Sequence, residues 1–170
     1  RVMEGYGVNS RIVEEANAKG ASVLLTCDNG IAAFEAIEEA KKLGMTVIVT
    51  DHHEVPFEEH DGKKTYLLPK ADAIVDPKQE DCAYPFKSLC GTGVAYQLMT
   101  LLFRRMKRTM SHQEIFLQYT AIATVADVME LVGENRILVR KGLSYLNHTN
   151  HTGLRALMEV CGIAPEQVRA

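Results

Sequence analysis

The 170-residue sequence has no CxxC pair, no Lys/Arg-rich tail and no run of about 18 apolar residues, the length that would span a membrane. No transmembrane helix is therefore expected, and no charged-then-apolar leader of the secretory kind opens the chain. The four cysteines, Cys27, Cys82, Cys90 and Cys161, are scattered. That spacing argues against a structural zinc site or a disulfide framework, and for reduced thiols in the cytoplasm. A formal net charge of −3 supplies no global attraction for nucleic acid, so a basic face would have to be local. What remains is a globular balance, 46% apolar and 24% charged, enough for one domain with a core. The sequence opens on Arg1 without an initiator methionine, and its first strand-like run comes after a helix. A piece of a longer protein is the expectation.

Gly5-Tyr6-Gly7 reads as a turn, and Asn9-Ser10 can cap a helix that Gly20 ends. Val23–Cys27 is a short apolar run stopped by Asp28-Asn29-Gly30. Ile31, Phe34, Ile37 and Ala40 share a helical face up to Gly44, and a second run, Thr46–Thr50, stops at Asp51-His52-His53. This is a strand–helix–strand unit, predicting parallel strands buried on both faces with a right-handed crossover. Residues 57–64 read as a loop with a small hairpin, and Ala73–Val75 as a third strand closed by Asp76-Pro77. Gly91-Thr92-Gly93 opens a helix to about Arg108. Ser111-x-x-Glu114 reads as a capping box before a helix whose apolar face is Ile115, Tyr119, Ile122, Ala123 and Ala126. Helices around Ile137–Leu146 and Leu154–Cys161 complete a mainly helical second half. The predicted class is α/β, a parallel Rossmann-like sheet flanked by helices. Residues 1–95 form the sheet part and residues 96–170 the helical part of a single domain.

In such sheets, ligands bind beyond the carboxyl ends of the strands. Asp28 and Asp51-His52-His53 both fall there, bringing carboxylates and imidazoles to one cleft. That donor set suits manganese or magnesium better than a structural zinc site. The other reading is plain: Asp28-Asn29-Gly30 is a turn and Asp51 a cap.

Thr50-Asp51-His52-His53-Glu54-Val55-Pro56 resembles the signature of the DHH phosphoesterase family. Cys27-Asp28-Asn29-Gly30-Ile31 resembles the motif preceding it. Glu4-Gly5-Tyr6-Gly7, Val75-Asp76-Pro77, the stretch Tyr84–Ala95, Ala123–Val128 and Gly133-Glu134-Asn135-Arg136 continue the resemblance in order, and point to RecJ-type exonucleases. The resemblance implies a two-metal phosphodiester hydrolase acting on single-stranded DNA in repair or recombination, with Mn2+ or Mg2+ as cofactor and DNA-repair proteins as possible partners. It implies that Asp28 bridges the metals, His52 and Asp127 ligate one of them, His53 contacts the scissile phosphate, and Asp51 orients the histidines. It gives Gly91-Thr92-Gly93 and Arg136 a phosphate to bind. Tight packing for the glycines, and a structural pairing of Arg136 with Glu134 or Asp127, are the alternatives. Alternatives for the whole chain are a phosphodiesterase of short oligonucleotides or cyclic dinucleotides, a pyrophosphatase, and a non-catalytic binding module. The family's first motif, an Asp-x-Asp strand end, is absent here, as are its downstream substrate-binding regions. Weak metal binding and near inactivity of these 170 residues alone are the expectation.

Other features read as structural. The run Arg104-Arg105-Met106-Lys107-Arg108 complements a helix carboxyl end, with a nucleic-acid phosphate contact as the other reading. Met99 and Met106 are expected in the core, and His60, His112, His148 and His151 in solvent.

Overall fold

The computed structural model describes residues 7–110, 112–164 and 168–169. The expected Gly5-Tyr6-Gly7 turn, the Glu4–Tyr6 resemblance and the Ser111 half of the capping box fall wholly or partly outside them. The chain divides into two compact units, residues 1–87 and 88–170.

The first unit is built on β1 (Val23–Leu25), β2 (Thr46–Thr50) and β5 (Ala73–Val75), a parallel sheet in the order β1-β2-β5. Helix α1 (Ser10–Ala18) begins as its sequence predicts, the Asn9 side chain accepting from the Ile12 N–H at 3.1 Å. Helix α2 (Phe34–Lys42) starts three residues later than expected, leaving Ile31–Ala33 as a bend at the strand end. Val13 of α1, Ala36, Ile37 and Ala40 of α2, Met45, and Val47 and Val49 of β2 form the core. Only the central strand β2 is well buried. Among the described residues β1 pairs on one side only, and Val23 and Leu25 are exposed, which corrects the expectation of two strands buried on both faces. An apolar run in sequence does not by itself say which faces of a strand are covered. Residues 57–66 form a hairpin, β3 (Phe57–His60) and β4 (Lys63–Tyr66), exposed along its length. The Lys41 ammonium pairs with Asp72 at 2.6 Å, and Asp72 also accepts from the Val47 N–H, tying α2 to the approach to β5.

The second unit holds α3 (Gly91–Arg105), α4 (Gln113–Ala126), α5 (Gly133–Leu146) and α6 (Thr152–Val160). The α4–α5 crossing is the closest. A Cβ on Gly142 would overlap the Leu117 carbonyl and lie 2.5 Å from the Ala121 Cβ. The expected apolar face of α4 is displaced. Leu117, Gln118, Thr120, Ala121 and Thr124 are buried, while Tyr119 and Ala126 are exposed. The threonines hide because their hydroxyls donate back into the helix, Thr120 to the Phe116 carbonyl at 2.8 Å and Thr124 to the Thr120 carbonyl at 2.7 Å. Met99 and Met106 are exposed rather than core. His60, His112 and His148 are exposed as expected, but His151 is half-buried, edge-on to the Tyr119 ring at 5.7 Å. No described helix is long and apolar enough to cross a membrane. The four cysteines are free thiols.

Candidate metal centre

Parallel pairing sets three aspartates side by side. Leu25 pairs with Ile48, and Thr50 with Val75. Continued past the strand ends, that register places Asp28 beside Asp51 and Asp51 beside Asp76. The backbone follows it, with the Asp28 N–H donating to the Thr50 carbonyl at 3.1 Å and the Asp51 N–H to the Val75 carbonyl at 3.0 Å. Threonines lock the first two strand ends together, the Thr50 hydroxyl donating to the Thr26 carbonyl at 2.7 Å. Between these ends Asp28 adopts a left-handed φ of 62°, and Gly30 a φ of 120°. A Cβ at Gly30 would lie 2.8 Å from the Thr26 hydroxyl and 3.0 Å from a Val49 methyl, so this turn requires glycine.

Asp51 is almost fully buried at 1% exposure. Its Oδ2 accepts from the Ile31 N–H at 2.9 Å, and its Oδ1 accepts from the His52 N–H at 2.8 Å and faces the His53 Nδ1 at 2.6 Å. Burial opposes ionisation of this carboxyl, but the bonds from Ile31, the His53 ring and His52 outweigh it and hold the pKa below the usual value. Asp51 thus fixes the His53 ring, whereas the His52 ring turns to Asp28, its Nε2 lying 2.9 Å from the Asp28 Oδ1. The His52 ring is buried and His53 half-exposed. Asp28, Asp51, His52 and His53 each offer a ligand atom, and these atoms all lie within 4.8 Å of one another. Hard oxygens and imidazole nitrogens gathered this closely fit a divalent cation of the manganese or magnesium kind. A cleft of about 390 Å3 adjoins the group, lined by Asn29, Gly30, Ile31, Asp51, His53 and Glu54 among others.

Asp76 was given no role by the sequence. It ends β5 as Asp51 ends β2, and is 2% exposed. Burial pushes its pKa up, only partly opposed by the Lys78 N–H, and the neighbouring Asp51 charge pushes it the same way. An Asp directly after the third strand was the signal available.

The other expected site residues lie in the second unit. Asp127 is the exposed C-cap of α4. Gly91 and Gly93 are buried, and the Gly93 N–H donates to the Cys90 Sγ at 3.4 Å. A Cβ at Gly93 would meet a Leu89 methyl at 3.3 Å, which is the packing role open to that glycine, while Thr92 is half-buried. Arg136 is exposed on the first turns of α5. Its neighbour Asn135 is fully buried, donating to the Ser88 and Glu130 carbonyls at 2.6 and 3.0 Å.

Comparison with known proteins shows the family. Residues 4–124 match the model of the DHH family, N-terminal domain. The single-stranded-DNA-specific exonuclease RecJ of Salmonella typhimurium is 39% identical over 180 residues, covering 100% of this chain and 30% of that protein. The protein of the same name from Bacillus subtilis is 41% identical over 162 residues, covering 95% of the chain and 19% of that protein. A crystal structure of exonuclease RecJ bound to manganese superposes with a TM-score of 0.76 at 31% identity, covering 97% of this chain and 39% of that one. The chain thus spans 30% and 19% of the length of these two relatives. Family model, relatives and strand-end geometry agree: the chain belongs to the DHH family, matching its N-terminal domain.

Proposed function

We propose that this chain carries metal-binding residues of a phosphodiester hydrolase, a single-stranded-DNA exonuclease of the RecJ type acting in DNA repair and recombination. The observation that carries the reading is the clustering of Asp28, Asp51, His52 and His53 at the ends of parallel strands. The names of the relatives and the manganese in the superposed structure support the substrate and the metal.

A pair of Mn2+ or Mg2+ ions would lower the pKa of a shared water and offset charge developing on the phosphoryl group. Asp28 and His52 would hold the metal in the first unit, Asp28 as the carboxylate, and Asp127 of the second unit is proposed as a further metal ligand. To hold a cation His52 would present the lone pair of its Nε2, the nitrogen that now faces Asp28. Asp51 holds the His53 Nδ1, so a phosphate is met through the Nε2 side of that ring. Thr92, with the flanking Gly91 and Gly93, and Arg136 are proposed phosphate contacts from the second unit. Single-stranded DNA is the proposed partner molecule, and the free cysteines support a cytoplasmic location.

In a protein of the relatives' length containing this chain, Asp28→Ala is expected to cut manganese-dependent nucleotide release from single-stranded DNA to below about 1%. That corresponds to at least about 2.7 kcal/mol of barrier. Unchanged release would remove Asp28 from the site.

A further inference from the structure

We infer that Asp76 is a positioning residue of this metal centre, its Oδ2 accepting a hydrogen bond from water bound to a divalent cation at Asp28 and His52. The inference rests on the metal-centre reading above.

Three observations carry it. Asp76 adjoins Asp51 in the strand ladder, at the same end of the sheet as Asp28. Its Oδ1 is satisfied by the Lys78 N–H at 2.8 Å, but its Oδ2 is buried with no hydrogen-bond partner. Its oxygens are not among the ligand atoms that lie within 4.8 Å of one another, which fits a residue acting through water rather than as a direct ligand.

The chemistry supplies a reason for such an oxygen. A buried acceptor left unsatisfied costs stability, and an ionised one costs more. An amide would avoid the charge, and an apolar side chain both costs. Hydrated magnesium and manganese retain several waters, whose O–H groups need acceptors, and an ionised carboxylate only accepts. Asp51 is poorly placed to serve, since its Oδ2 holds the Ile31 N–H and its Oδ1 holds the His52 N–H and the His53 ring. Burial and the Asp51 charge both disfavour an ionised Asp76, whereas the Lys78 N–H, the Lys78 charge and His52 favour it. A cation nearby adds to the favourable side.

The test is Asp76→Asn in a protein of the relatives' length containing this chain, with Mn2+ titrated by electron paramagnetic resonance and calorimetry and the metal-free melting point read at pH 7. Two opposite changes are expected. Manganese affinity falls about 10-fold or more. The metal-free melting point rises, because a neutral side chain removes a buried carboxylate oxygen that has no hydrogen-bond partner. Asp76→Ser, smaller and also neutral, should lose manganese affinity in the same way. A merely structural Asp76 would leave the affinity within about twofold of the parent. That result, alongside loss of binding in Asp28→Ala, would overturn the inference and leave the metal centre standing. Manganese binding that survives Asp28→Ala, or is absent from the parent, would overturn both.

Discussion

Asp51 joins two tasks in one side chain: it pins the backbone at Ile31 and His52, and it fixes the His53 ring. Truncation would leave buried donors without an acceptor, at about 1–3 kcal/mol each. Asp51→Ala is therefore expected to lose about 3 kcal/mol, read as a fall in melting point of about 6–12 °C. A loss near zero would mean that water replaces the carboxylate. The pKa of Asp51 lies below its ordinary value of 3.8 in the folded chain. Its contribution is complete above that value and drains away as pH falls through the lower, folded-state pKa. The stability gap between parent and variant should accordingly be constant near neutrality and narrow in acid below pH 3.8. A gap that widened in acid would contradict the direction of the shift.

Among the elements, the α4–α5 crossing gives the sharpest test. Alanine is a better helix former than glycine by about 1 kcal/mol. At Gly142, however, the new Cβ would collide with the Leu117 backbone, which cannot turn aside as a side-chain end can. Overpacking wins, and Gly142→Ala should cost at least about 2 kcal/mol in denaturant unfolding. The same crossing shows where sequence patterning stops being legible. Periodicity found α1, α2, β2, β5 and the parallel arrangement, because those elements alternate cleanly between apolar runs and strong turn residues. It displaced the face of α4, because Thr120 and Thr124 are polar by composition yet satisfied within the helix. It put Met99 and Met106 in the core by their apolarity alone. For the site, Asp28 and His52 were readable as strand-end residues. Asp76 was read as the close of a strand and given no site role because a single Asp before proline looks like an ordinary turn, whereas its place beside Asp51 follows from lateral register. The His52 ring faces Asp28, a residue of left-handed backbone, and neither feature is revealed by side-chain spacing.

For the whole molecule, ligand linkage gives the most direct reading. A cation that binds only the folded chain stabilises it by about 2.7 kcal/mol at a hundred times its dissociation constant. Manganese should then raise the melting point by about 5–10 °C, and a chelator should reverse the rise. Asp28→Ala should abolish this response while leaving the second unit's helices intact by circular dichroism. An equal response in that variant would place the bound ion elsewhere. The hydrogen bond from the Ile31 N–H to Asp51 also joins the bend before α2 directly to the site. That proton can exchange with solvent only when residues 29–33 lift from the carboxylate. The Ile31 amide is thus a clock built into the cleft, its exchange rate timing each opening of the site before any ion or strand of DNA has been added.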